Sequence, residues 1–171
     1  DIFGPKMMAD AVVRPAGPAD EGAIWAILEP VFRAGDTYTI DLGITREDAL
    51  AYWFGPTHRV YLAGVGLGTY YIRPNQGGGG SHVCNCGYVT SPAARGKGVA
   101  RAMLAHSLDE AWRLGFRAMQ YNFVVETNAR AIEIWKRAGF ETVGRLPGAF
   151  RHPHEGFVDA LVMYKDLTKE T

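Results

Sequence analysis

The segment that most restricts the fold is Tyr88-Val89-Thr90-Ser91-Pro92-Ala93-Ala94-Arg95-Gly96-Lys97-Gly98-Val99-Ala100-Arg101-Ala102-Met103-Leu104. A β-rich start, two glycines one residue apart and an apolar helical pattern beyond them predict a strand that turns directly into a helix. The first amides of such a helix lack intrahelical partners and carry partial positive charge, while the glycines keep Cβ atoms out of an approaching anion's way. Arg95 and Lys97 add cationic side chains at the same spot, where they serve an anion or simply the solvent. Taken alone, the turn is equally consistent with anion binding and with an ordinary helix start.

Around it the pattern is strand, helix, strand, helix. A strand is expected over 83–90, the helix runs from the turn to about Leu114, and Gly115 stops it. A second strand is expected over 116–125 and a helix over 128–137, closed by Gly139. Upstream, Ala11 to Arg14 reads as a short strand, and Pro18-Ala19-Asp20-Glu21 opens a helix with Ile24, Ile27, Leu28 and Val31 on one face. Thr45 with Asp48 three residues on is a capping pattern for a second short helix. Residues 58–63 and 67–73 read as a hairpin about Gly64-Val65-Gly66. No helix follows Gly77-Gly78-Gly79-Gly80, so these glycines read as a flexible linker between strands. Residues 140–145 and 158–164 read as closing strands. The connection Leu146 to Phe157, rich in proline, glycine and histidine, is expected to be an irregular functional loop.

A chain of 171 residues with 47% hydrophobic and 21% charged content can bury one core, so one domain over 9–171 is expected. Residues 1–8 show nothing periodic and are expected to be a disordered or appended end. Eighteen basic against eighteen acidic side chains leave no net field to draw the chain onto nucleic acid or an anionic membrane. No apolar run approaches the roughly 20 residues that span a bilayer. Cys84 and Cys86 lie two apart on one strand face, badly placed for a disulfide, which favours a reduced, cytoplasmic chain. His82-x-Cys84-x-Cys86 lacks a second ligand pair, so the thiols are read as structural and no metal is expected.

Arg95-Gly96-Lys97-Gly98-Val99-Ala100 resembles the Arg/Gln-x-x-Gly-x-Gly/Ala signature of the GNAT acyltransferases. Asn128-Ala129-Arg130-Ala131-Ile132-Glu133-Ile134-Trp135-Lys136-Arg137-Ala138-Gly139-Phe140 is similar to that family's second landmark. The resemblance spans about Ala11 to Leu167. It implies an α/β (α+β) fold: a mixed, largely antiparallel sheet of six to seven strands with helices on both faces. Its central strands would be splayed in a V around acetyl-coenzyme A. By the same resemblance, the pyrophosphate would sit on Arg95, Gly96, Lys97, Gly98, Val99 and Ala100. The pantetheine arm would pair with the backbones of Tyr88, Val89 and Thr90, and Asn128 would contact the cofactor or cap the last helix.

The implied reaction is attack of a neutral amine on the thioester. Many relatives place a tyrosine proton donor where this chain has Trp135, whose indole cannot serve, so no catalytic residue is assigned. His82, Asn85, Tyr121 and Glu126 are polar residues on or beside the two splayed strands. An acceptor pocket is expected where a loop with Arg33, Asp36 and Tyr38 meets Phe150-Arg151-His152-Pro153-His154. Tyr38, His152 and His154 are the candidate contacts. The expected partner is a small-molecule amine, with a homodimer left open, and the closing segment resembles phosphinothricin-type acetyltransferases. Two rival readings share the glycine turn. One is a non-catalytic acyl-coenzyme A sensor. The other is a dinucleotide-dependent oxidoreductase with Glu126 on the ribose, although Arg101 stands in place of its third glycine.

Overall fold

The computed structural model describes residues 12–169. Seven strands form one sheet: β1 (Val13–Pro15), β2 (Arg59–Ala63), β3 (Gly68–Pro74), β4 (Val83–Thr90), β5 (Ala118–Val125), β6 (Glu141–His152) and β7 (Gly156–Asp166). Their order is β1-β2-β3-β4-β5-β7-β6, and every pairing is antiparallel except β4 with β5. The mixed, largely antiparallel α/β fold implied by the sequence is the observed one. A doubly wound parallel sheet, which the oxidoreductase reading needs, is not.

Four α-helices cover the sheet: α1 (Glu21–Ala34), α2 (Arg46–Trp53), α3 (Val99–Arg113) and α4 (Ala129–Arg137). Alternation along the strands divides the core in two. Val60, Leu62, Tyr71 and Val89 meet α1 and α2 through Ile24, Leu28, Phe32 and Trp53. On the other face Tyr70, Ile72, Cys84, Cys86 and Met119 meet α3 through Val99, Met103 and Leu104. Strands buried on both faces have no polar alternation to reveal them, which is why β2 to β4 read as nearly continuous apolar runs. The buried Trp53 indole donates to the Thr69 hydroxyl at 3.1 Å, and Thr69 donates to the Tyr61 carbonyl at 2.7 Å, so this polar pair is satisfied inside the core. The expected cap of α2 is present, with Thr45 Oγ1 accepting from the Asp48 amide at 3.1 Å.

One sequence expectation is corrected. Leu146 to Phe157 is not an irregular loop: β6 and β7 run through most of it, leaving only a turn at 153–155. Pro147 and Gly148 lie inside β6, and β6 is the outermost strand, where a missing N–H breaks no inner ladder. The glycine run links the neighbouring strands β3 and β4, as expected, and does so through a short 3-10 turn over Gly78–Gly80, closed by the Gly80 amide on the Gly77 carbonyl at 3.0 Å. The first predicted strand begins at Val13, and Ala11 lies outside the described residues with the chain's first ten.

Candidate active site

β4 and β5 are in register only at Val83↔Ala118 and Cys84↔Met119, and beyond those pairs they diverge. The Asn85 side-chain amide spans the start of the split, donating to the Gln120 carbonyl at 2.9 Å. Farther along, the Tyr88 and Tyr121 hydroxyls lie 3.0 Å apart, and the Tyr88 hydroxyl is also 2.7 Å from the Ser107 hydroxyl of α3. Burial pushes both phenols well above their ordinary range, so both stay protonated.

The Val83 carbonyl accepts from Asn75 and the Ser91 amide donates to the Leu67 carbonyl. Alternation along β4 therefore directs the backbone groups of Cys86, Tyr88 and Thr90 into the split, and those of Gly87 and Val89 toward β3. Tyr88 and Thr90 are thus placed as a strand edge facing the split, whereas the backbone of Val89 is turned away. One carbonyl on that edge already has a donor, the Tyr38 hydroxyl, 2.9 Å from the Tyr88 oxygen. Tyr38 comes from the segment after α1, which Arg33 ties down by donating to the Leu42 and Ile44 carbonyls at 2.5 and 2.8 Å. Arg33 is therefore a structural staple for that loop.

The split ends at the glycine turn. Gly96 and Gly98 both have positive φ, 78° and 81°, a conformation that disfavours any other residue. Gly98 is the N-cap of α3 and no side chain caps that helix, so its first amides are left for another acceptor. A cavity of about 540 Å³ follows the split from this turn to the loop after α1. Arg95, Gly96, Gly98, Val99, Ala100 and Asn128 line it, together with Tyr38, Tyr88, Val89 and Thr90, while the exposed Lys97 does not. Asn128 stands at the start of α4 without forming a side-chain cap, so its amide is free to serve the cavity.

Sequence reasoning missed several lining residues. Arg101 and Arg130, in the first turns of α3 and α4, bring two further cations, and the available signal was their place just after the first landmark and near the start of the second. At the opposite end Tyr52, Tyr71, Arg73 and Asn122, from α2, β3 and β5, complete the wall beside Asn85 of β4, which the sequence had already singled out. Beside them His58 stacks on Tyr71 with centroids 4.2 Å apart and donates from Nδ1 to the Trp53 carbonyl at 2.9 Å. Burial holds this imidazole below its usual titration range.

His152 and His154 are not brought to this cavity. They lie at the tip of the β6–β7 hairpin, where His152 Nδ1 accepts from the amides of His154 and Glu155 at 3.1 and 3.2 Å. His82 is exposed beside the closed end of the split, and Glu126 pairs with Arg145 at 3.1 Å. Trp135 lines the cavity and packs 4.5 Å from the Tyr121 ring. Among the described residues no cluster of three or more His, Cys, Asp or Glu side chains has metal-binding geometry, and no helix is long and apolar enough to cross a membrane.

The sequence and the fold have counterparts in known proteins. The profile of the acetyltransferase (GNAT) family matches residues 23–140. The N-acetyltransferase aca1 of Schizosaccharomyces pombe is 34% identical, over 75% of this chain and 71% of that protein. A GCN5-related N-acetyltransferase from Kribbella flavida superposes with a TM-score of 0.86 at 40% identity, covering 92% of this chain and 98% of that one. At 22% identity the likeness is one of fold for a phosphinothricin acetyltransferase of Sinorhizobium meliloti in complex with acetyl-coenzyme A. It has a TM-score of 0.80 and covers 95% of this chain and 94% of that one. The family profile spans more than half of the chain and the aca1 relative is 34% identical across more than two thirds of both sequences, so the chain belongs to the acetyltransferase (GNAT) family.

Proposed function

We propose that the protein transfers the acetyl group of acetyl-coenzyme A to the amine of a small molecule. The observation that carries this reading is the single cavity joining the glycine turn to a separate polar end through the split between β4 and β5. The residues present fit the cofactor. The two left-handed glycines and the uncapped first turn of α3 suit a pyrophosphate, with Arg101 and Arg130 as further cations. The unpaired edge at Tyr88 and Thr90 suits the amide-bearing pantetheine arm, and Asn128 stands beyond it.

Bound acetyl-coenzyme A would supply a thioester: the amine nitrogen bonds to its carbonyl carbon, the carbon–sulfur bond breaks, and the amine proton and the thiolate are balanced through water. No Asp, Glu or His is among the described residues lining the cavity. The described lining thus contributes no carboxylate or imidazole base there, and Arg73, at the acceptor end, disfavours an ammonium beside it. A neutral amine, the reactive form, is favoured by that field. Tyr38 is raised well above its ordinary range by burial, so it acts as a hydrogen-bond donor and not as a base.

Release of free coenzyme A thiol, followed with a panel of small amines, tests the reading. Turnover with at least one amine is expected, with kcat/KM rising with pH as that amine loses its own proton. Calorimetric binding of acetyl-coenzyme A without turnover on any amine would instead favour a sensor.

A further inference from the structure

The polar end of the cavity holds a cation that has no ion-pair or side-chain hydrogen-bond partner among the described residues. Arg73 pairs in register with Asn85 across β3 and β4, on the sheet face that also carries Tyr71 and the narrow Gly87. It lines the cavity, its Nε is buried, and that nitrogen has no hydrogen-bond acceptor. None of the ion pairs among the described residues involves Arg73. Several of the neighbouring amide groups are already committed. Asn85 Nδ2 donates to the Gln120 carbonyl, Asn122 Nδ2 donates to Asn75 Oδ1 at 2.7 Å, and Asn122 Oδ1 accepts from Gln120 Nε2 at 2.9 Å. A buried guanidinium N–H left unpaired is costly, and such a group calls for an acceptor from outside the fold, a water, an ion or a ligand group.

We propose that Arg73 docks a carboxylate of the acceptor, so that the acceptor is an amino acid or a related amino carboxylate. The planar guanidinium matches a carboxylate with two parallel hydrogen bonds. The rest of the wall agrees: a polycationic amine such as a polyamine or aminoglycoside would need acidic partners, and the described lining has none. The glycine turn lies at the far end of the cavity, so Arg73 is not needed for the cofactor's phosphates. The proposal rests on the acetyl-transfer reading for its chemistry but not for its binding test.

Protein saturated with coenzyme A is titrated calorimetrically with the twenty proteinogenic α-amino acids, each against its primary amide, and with putrescine. Coenzyme A release is followed in parallel with acetyl-coenzyme A. At least one acid should bind, with its amide and putrescine about 10- to 100-fold weaker, the range expected for one charge-assisted contact. Arg73→Gln should bring acid and amide to within about threefold of each other, with acetyl-coenzyme A affinity and Tm near the parent's. Arg73→Lys should restore part of the preference. The proposal is overturned if no acid binds, if amides or putrescine bind as well as acids, or if Arg73→Gln keeps the parent's preference. Acid-selective binding without coenzyme A release would keep the carboxylate site and sink acetyl transfer. Release that is equal for acids and amides would do the reverse.

Discussion

The two edges of β4 are built from the same eight residues and behave oppositely. Toward β3 the strand is zipped through seven register pairs, from Gly68↔Thr90 to Pro74↔Cys84. Toward β5 it keeps two. On the β3 side Gly87 leaves space for the Tyr71 ring, so the strands lie flush. On the other side β5 shifts register against β7 between Tyr121 and Val124, which draws it away. Side chains replace part of what the ladder loses there, through Asn85 on Gln120 and the Tyr88–Tyr121 hydroxyl pair. One edge thus supplies the strand's stability and the other is left with backbone polarity for a ligand.

The largest effect should come from the end of the open edge. Gly98→Asp places a side chain and a negative charge where the turn has φ of 81° and uncapped amides. Acetyl-coenzyme A affinity should fall on the order of 10³-fold by calorimetry, against ~1–2 kcal/mol of stability for the left-handed backbone. A folded variant with normal affinity would put the anion site elsewhere. Next comes the zipped edge. A Cβ at Gly87 would lie 2.5 Å from the Tyr71 ring, so Gly87→Ala should cost ~1–3 kcal/mol in urea unfolding. A neutral result would mean that the zipped edge is loose enough to shift, and the contrast between the edges would weaken.

The smallest effect concerns His58, stacked on Tyr71 behind the zipped edge. Its folded titration is lowered, chiefly by burial, so neutral His58 is favoured by folding. That contribution is present above the unfolded value of about 6.5 and is lost as pH falls through the lower folded value. The urea midpoint of the parent should therefore drop more between pH 7 and pH 5 than that of His58→Gln. Parallel pH profiles would show that His58 is too well solvated to matter.

The open edge was easier to read in the sequence than the pocket it leads to. Gly96 and Gly98 fall at a predicted helix start, so local rules mark the turn, while Asn128 was reached through the family resemblance. Arg73 is a single arginine in a strand ahead of Pro74-Asn75 and looks like surface; only pairing with Asn85, 12 positions away in sequence, puts it in the wall. Tyr38 was found because its loop follows the first helix, yet its hydrogen bond to Tyr88 spans 50 residues and no local pattern encodes it. His152 and His154 were drawn into the pocket by the mistaken loop. Pro147, Gly148, Pro153 and Gly156 suggest irregular chain, and an outermost strand tolerates such residues where an inner one would not.

That outermost strand also governs how copies of the chain can meet. β6 is twelve residues long and exposes Val143 and Leu146, the description of a strand onto which another chain could add. It is interrupted by two register shifts, at Thr142/Gly144 and Leu146/Phe150, and by Pro147, which has no N–H to offer. Asp159 locks the second irregularity by accepting from the Gly148 amide and from Arg145, both at 2.8 Å. The outer backbone therefore presents no continuous row of donors and acceptors. Sheet-to-sheet extension into fibrils is disfavoured on this side.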